Sequence, residues 1–242
     1  IEDIATMYRY NIILSNSDQN ETKELELLDT MLGKQVDGIV MMSDHVTDKI
    51  ASAIRQSPVP VVLAGSIIND SSIPSVNIDY FQAAMDAIQL FINKGHKEIA
   101  FVSGPLEYTI NGEHKLGAYK QALQQANIEI NEQLIDATDG TYDEALLSWE
   151  SFVQKAHVPT AIFAGSDEIA LGIIHAIQDA GKRVPEDVEV ISFENSKLAR
   201  MIRPQLTSVA LPLYDIGAVS MRLLTKLLNK EEVPDKNVIL PY

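Results

Sequence analysis

The chain has 242 residues, 46% of them hydrophobic and 22% charged, with no cysteine, 19 Lys and Arg against 34 Asp and Glu, and a formal net charge of −15. This is the composition of a folded globular protein of one or two domains, without disulfides or thiolate metal sites. With no Lys/Arg cluster, these residues cannot themselves grip nucleic-acid phosphates, and a basic protein partner suits them better. No apolar run approaches the roughly 20 residues of a membrane span, and a cytoplasmic location is expected.

Taken in chain order, IEDIATMYRY (1–10) opens as an amphipathic helix. Strands are expected at NIILSN (11–16), DGIVMMS (37–43), VPVVLAG (59–65) and PSVNID (74–79), with helical patterns over 20–34 and 46–56 between them. A helix over 80–94 leads to a strand at 98–104, helices over 112–126 and 143–156, and a strand at 160–166. A helix over 167–180 precedes strands at 188–194 and 206–211, then a helix over 213–229 and a last strand near VILPY. Strand–helix alternation at this spacing means crossover connections and parallel sheets, and continuous apolar strands mean helices on both faces. The alternation falls into two blocks, one to about Ile78 and one from Asp79 to about Leu211. The expected fold is α/β, with two doubly wound parallel-sheet lobes and a cleft between them. A lobe of this kind should open with a strand and none precedes residues 1–10, so the chain reads as part of a longer polypeptide.

The stretch LPLYDIGAVSMRLLTKLLNK (211–230) is the most informative. At about 100° per residue, Ile216, Ser220, Leu223, Leu224 and Leu227 share one side, which must be buried. Asp215, Arg222 and Lys226 line up away from it, together with the apolar Ala218, Val219 and Met221. Mixed charge and apolar surface on one helix face suits protein docking. Arg222 can give a phosphate two hydrogen bonds, Lys226 adds positive potential, and Tyr214 and Asp215 sit near the helix start.

Catalysis is not expected. The five histidines (45, 96, 114, 157 and 175) show no HExxH spacing, and there is no GxxxxGK[ST] phosphate loop. His96 should bridge a helix end to a strand, and His175 should pack within its helix. The pairs Asp167/Glu168 and Glu186/Asp187 look like helix caps and turns, and no nucleophile–base set can be assembled. In RPQLTSV (203–209), Arg203 can cap carbonyls and Pro204 stops a helix.

GHKEIAFVSGPL (95–106), PTAIFAGSDEIALGII (159–174) and RPQLTSVALPLYDIGAVSMRLL (203–224) resemble the effector-binding core of the lactose/galactose repressor family, over essentially the whole chain. Residues 1–16 and 211–226 are most similar to the branch of that family that acts in carbon catabolite control. The resemblance implies a periplasmic-binding-protein-like fold, with 1–78 plus 212–235 as the N-terminal lobe and 79–211 plus 236–242 as the C-terminal lobe. It also implies a homodimer, a helix-turn-helix DNA-reading domain upstream of Ile1, and seryl-phosphorylated HPr as corepressor. The docking set would be Tyr214, Asp215, Ala218, Val219, Met221, Arg222 and Lys226, with Tyr8 on the first helix. DNA operators would be reached only through the upstream domain, and no cofactor is implied.

For the effector cleft, the resemblance points to Asp79, Lys115, Tyr142, Ser166 and Glu194. Here the chain departs from the family. Lys115 stands where an Arg is expected, the aromatic position falls near Gly140 with Tyr142 as its stand-in, Ser166 replaces an Asn, and Glu194 replaces an Asp. Lys is a flexible point charge rather than a planar fork, so the cleft is expected to bind small molecules weakly, phosphorylated sugars among them. The alternatives are a sugar-responsive repressor core or a periplasmic-type sugar receptor.

Overall fold

The computed structural model describes all 242 residues. In chain order its elements are α1 (Glu2–Met7), α2 (Glu21–Gly33), β1 (Ile39–Met41), α3 (Asp48–Gln56), β2 (Val61–Ala64), β3 (Ser75–Ile78), α4 (Tyr80–Asn93) and β4 (Ile99–Ser103). A π-helical segment (Ile110–Leu116) then runs into α5 (Gly117–Gln125), followed by β5 (Ile135–Ala137), α6 (Tyr142–Gln154), β6 (Ala161–Ala164), α7 (Asp167–Asp179) and β7 (Glu189–Glu194). The chain closes with α8 (Lys197–Met201), β8 (Thr207–Ala210), α9 (Leu213–Leu228) and β9 (Asn237–Leu240). It divides into two compact units, Ile1–Asp79 with Pro212–Pro241, and Tyr80–Leu211 with Tyr242. No helix is long and apolar enough to cross a membrane.

The first unit is built on a four-stranded parallel sheet in the order β1-β2-β3-β9. All four β2 residues are buried because both faces are covered. Val62 and Ala64 point into a cluster with Ile4 and Ala5 of α1 and with Ile216, Met221, Leu223 and Leu224 of α9. Val61 and Leu63, on the opposite pleat, meet Leu28 of α2 and Ile50 and Ile54 of α3. The second unit carries a five-stranded parallel sheet, β5-β4-β6-β7-β8. One face, with Ala100, Val102, Ile162 and Ala164, packs on Trp149 and Phe152 of α6 and on Ile169, Ile173 and Ile177 of α7. On the same strands Phe101 and Phe163 alternate with those residues, and their rings lie 5.6 Å apart, with Tyr119 of α5 5.5 Å from Phe101. His96 joins the end of α4 to β6 as the sequence suggests, with Nδ1 2.9 Å from Thr160 Oγ1 and its ring edge on Phe91. Arg203 likewise donates to the carbonyls of Arg200, Met201 and Ile202 at the end of α8.

Three expectations need correction. Residues 11–16 form no strand: the pattern is right, but no strand of this chain lies beside them to complete a ladder, and Ile12, Ile13 and Leu14 are exposed. Residues 237–240, expected in the C-terminal lobe, supply β9 to the first unit's sheet through pairing with β3. The start of the 112–126 helix is a π-helix rather than α. β5 and α8, at three and five residues, are too short to leave a periodic signal.

α6 and α7 approach closely at Gly172, where an added Cβ would lie 2.6 Å from the Tyr142 carbonyl oxygen and 2.9 Å from the Ala145 Cβ. Gly172→Ala should therefore destabilise the protein by about 1–3 kcal/mol through overpacking. That outweighs the helix-propensity gain of about 1 kcal/mol. Urea unfolding measures the balance, and a raised midpoint would show that the two helices can separate without cost.

Candidate functional site

Two groups of predicted residues occupy different places in the fold. The first lies on α9. Asp215 sits in its first turn and Lys226 in its last, each at the helix end whose dipole it favours. Asp215, Arg222 and Lys226 are exposed and make no side-chain hydrogen bond or ion pair. Tyr214 is 64% exposed, and its hydroxyl reaches Asp3 Oδ2 of α1 at 3.4 Å. Tyr8, at the end of α1, is 43% exposed.

Ala218 and Met221 are not on this surface. They are 3% and 5% exposed and belong to the first unit's core, while Val219 is half-buried. A single buried side assigned from helical periodicity fails because α9 is covered twice, by the sheet and by α1. The close approach of α1 shows at Gly217, where an added Cβ would lie 3.0 Å from Ile1 Cγ1. That mid-helix glycine was the sequence signal for a second packing face. The exposed apolar side chains on these two helices are instead Met7, Tyr8, Leu213 and Tyr214.

The second group gathers at the carboxyl ends of β6 and β7. Lys115 comes from the π-helix and is 5% exposed. Its Nζ donates to the Gly165 carbonyl at 2.8 Å and stands 4.5 Å over the Phe193 ring. Instead of a mobile charge offered to a ligand, it is a fixed cation satisfied by a carbonyl and an aromatic face. Ser166, the next residue after Gly165, caps α7 by accepting the Ile169 amide at 3.2 Å. Glu194 ends β7 half-buried, with φ at +111°, and Asn195 follows at +54°.

Tyr142 is fastened to α7: its amide donates to Glu168 Oε1, its hydroxyl lies 2.8 Å from His175 Nδ1, and the two rings meet edge-on at 5.7 Å. The His175 side chain, expected only to pack, is thus what holds the Tyr142 ring. Asp79 is exposed at the end of β3 in the first unit. In that unit, burial holds the Glu24 carboxyl above its ordinary range, partly offset by hydrogen bonds from Ser43 and Ser17. The residue that sequence reasoning undervalued is Asp167, taken for a helix cap but 1% exposed and bonded to three groups outside its helix.

The geometry thus comprises two parallel α/β sheets, an exposed charged stripe on α9 and polar groups at strand carboxyl ends. A model of a periplasmic binding protein-like domain matches residues 88–242. Catabolite control protein A of Priestia megaterium is 57% identical over 242 residues, spanning 100% of this chain and 73% of that protein. The solved structure of the transcription regulator CcpA of Lactococcus lactis superposes with a TM-score of 0.92 at 43% identity, covering 99% of this chain and 88% of that one. The chain belongs to the LacI family of transcription regulators. A further structural neighbour, the transcriptional regulator CelR in complex with cellobiose, has a TM-score of 0.89 at 28% identity, over 98% of this chain and 73% of its own. The LacI-family relatives are regulators rather than enzymes, which agrees with the lack of a nucleophile–base set in the sequence.

Loss of the inward bonds of Lys115 should be felt in stability. Lys115→Met keeps the stem but removes the donor to Gly165 and the cation over Phe193. It should cost about 1–3 kcal/mol, the usual penalty for orphaning a buried partner. Urea unfolding reads this directly, and an unchanged midpoint would mean the ammonium contributes nothing where it sits.

Proposed function

We propose that this chain is the sensing and dimerisation core of a carbon-catabolite regulator, and that α9 docks seryl-phosphorylated HPr with Arg222 as the phosphate anchor. The observation that supports this most is the state of Arg222: exposed, with no intramolecular partner, on a helix whose other faces are buried. A surface guanidinium left unpaired can form two charge-assisted hydrogen bonds to a phosphate. Lys226, one turn on, adds attraction without that geometry. Tyr214, Tyr8, Met7 and Leu213 supply aromatic and apolar contact of the kind found at interface centres. Similarity to catabolite control protein A favours a phosphorylated regulator of carbon use over other phosphoproteins.

A second input, a sugar at the carboxyl ends of β6 and β7, is favoured by the grouping of Ser166 and Glu194 there and by the sugar complex of CelR. With Lys115 turned inward, hydroxyl recognition by Glu194 is its natural chemistry, phosphorylated sugars remaining within its scope. Either ligand acts by binding one conformation of a dimer better than another, which shifts the population and with it the affinity of an attached DNA-binding domain for its operator.

Titration calorimetry with HPr, with and without serine phosphorylation, tests the docking. The phosphorylated form should bind and the other should bind far more weakly. Arg222→Ala should weaken binding by about thirtyfold or more, the range for truncating one partner of a hydrogen-bonded charge pair. Arg222→Lys should fall between, and Lys226→Ala should lose less. Equal affinity for Arg222→Ala and the unsubstituted chain would refute the anchor, and binding in neither state would leave the sugar as the sole input.

A further inference from the structure

The side chain of Asp167, at the first position of α7, leaves its own helix. Oδ1 accepts hydrogen bonds from the Ser192 hydroxyl on β7 and, at 2.9 Å, from the Ser208 hydroxyl on β8. Oδ2 accepts the backbone amide of Ser196. Ser192 and Ser208 are directly paired across the two strands, so both hydroxyls converge on one carboxylate. The Ser208 oxygen in turn accepts the Asn195 amide at 2.9 Å, and the Ser196 hydroxyl caps α8 through the Leu198 amide. The amides of both Asn195 and Ser196 are therefore held by Asp167 or by the serine it holds, while Glu194 is tied to β8 through its pairing with Ala210 and through the Leu211 amide on its carbonyl.

That turn contains two consecutive non-glycine residues at positive φ, a conformation that side chains resist and that persists only where surrounding bonds over-determine it. Asp167 is well suited to supply them. It is 1% exposed, so its hydrogen bonds do not compete with water, and the α7 N-terminus favours its negative charge. Glu194 is the residue whose backbone the turn twists.

We propose that Asp167 is a positioning residue: by fixing the backbone of the 194–196 turn, its carboxylate sets the aim of the Glu194 carboxylate at a sugar hydroxyl. This rests on the sugar-binding reading and adds to it a residue that touches no ligand. The chemistry separates charge from geometry. An Asn at 167 can turn its amide oxygen to the Ser196 amide and its NH2 group to both serine hydroxyls, keeping the turn, whereas an Ala leaves all three donors unheld.

The test titrates glucose, glucose 6-phosphate and cellobiose against the unsubstituted chain, Asp167→Ala, Asp167→Asn and Ser208→Ala, with Glu194→Gln as a reference for loss of the carboxylate. Asp167→Ala should lose about tenfold or more in affinity for whichever sugar binds, approaching Glu194→Gln, as expected when hydrogen bonds to a charged group are removed. Asp167→Asn should stay within about threefold, and Ser208→Ala should fall between. Phosphorylated HPr, titrated without sugar, reports on the first unit and should bind all these chains alike, which a general loss of folding would not permit. Should Asp167→Ala fail to fold, Ser208→Ala carries the test alone, since Ser208 is half-buried on an edge strand. Sugar binding unaffected by Ser208→Ala and by either change at Asp167 would overturn the positioning role and leave the sugar reading standing. No binding of any of the three sugars to the unsubstituted chain would overturn both.

Discussion

Helix α9 must satisfy two partners at once, the first sheet and α1, and most of its character follows from that constraint. Ile216, Leu223 and Leu224 serve the core, Ala218 and Met221 join the cluster that includes Ile4 and Ala5, and Gly217 admits Ile1. What is left for water is a narrow stripe of Asp215, Arg222 and Lys226, edged by Val219, with Leu213 and Tyr214 exposed at the helix start. A helix so enclosed has little freedom to tilt or turn, and the backbone positions that carry its charges are fixed. For any surface that meets a partner, a rigid backbone loses less entropy on binding.

The second unit solves a different problem. A parallel sheet ends all its strands at one edge, where helix N-termini and unpaired backbone groups collect. At this edge the protein has turned its polar side chains largely upon one another: Lys115 to Gly165 and Phe193, Ser166 to its own helix, Tyr142 to His175, and Asp167 to two serines and an amide. Buried polar networks of this kind specify one arrangement when every member is satisfied. The strain that remains is concentrated at Glu194 and Asn195, at the end of a central strand, where the backbone leaves the sheet. At this turn local backbone preference is overruled by the bonds around it.

The two units also differ in how plainly their chemistry could be read from residues. Arg222 was legible because charge at helical spacing along one helix is a local property. Lys115 was not. Whether a lysine stem runs outward or folds back over Phe193, 78 positions further along the chain, depends on a contact with no trace in local pattern. Asp167 shows the same limit: as a first-turn acidic residue it satisfied a sufficient local explanation, and the three donors that give it another role arrive from β7, β8 and the turn between them.

By itself the sequence determined most of the alternation of strands and helices, the placing of those elements to within a few residues, and the parallel character of both sheets. These follow from hydrophobic period, glycine and proline punctuation, and residue type, all of which act over a few neighbours. Only the tertiary structure decided which faces of α9 meet protein, that 237–240 pairs with β3, that residues 11–16 stay unpaired despite a strand-like pattern, and which polar groups at the strand ends turn inward. A strand exists only beside another strand, and a face is buried only against another element. Periodicity records how residues are arranged around one axis, whereas the number of surfaces that close upon it is set by segments far away in the chain.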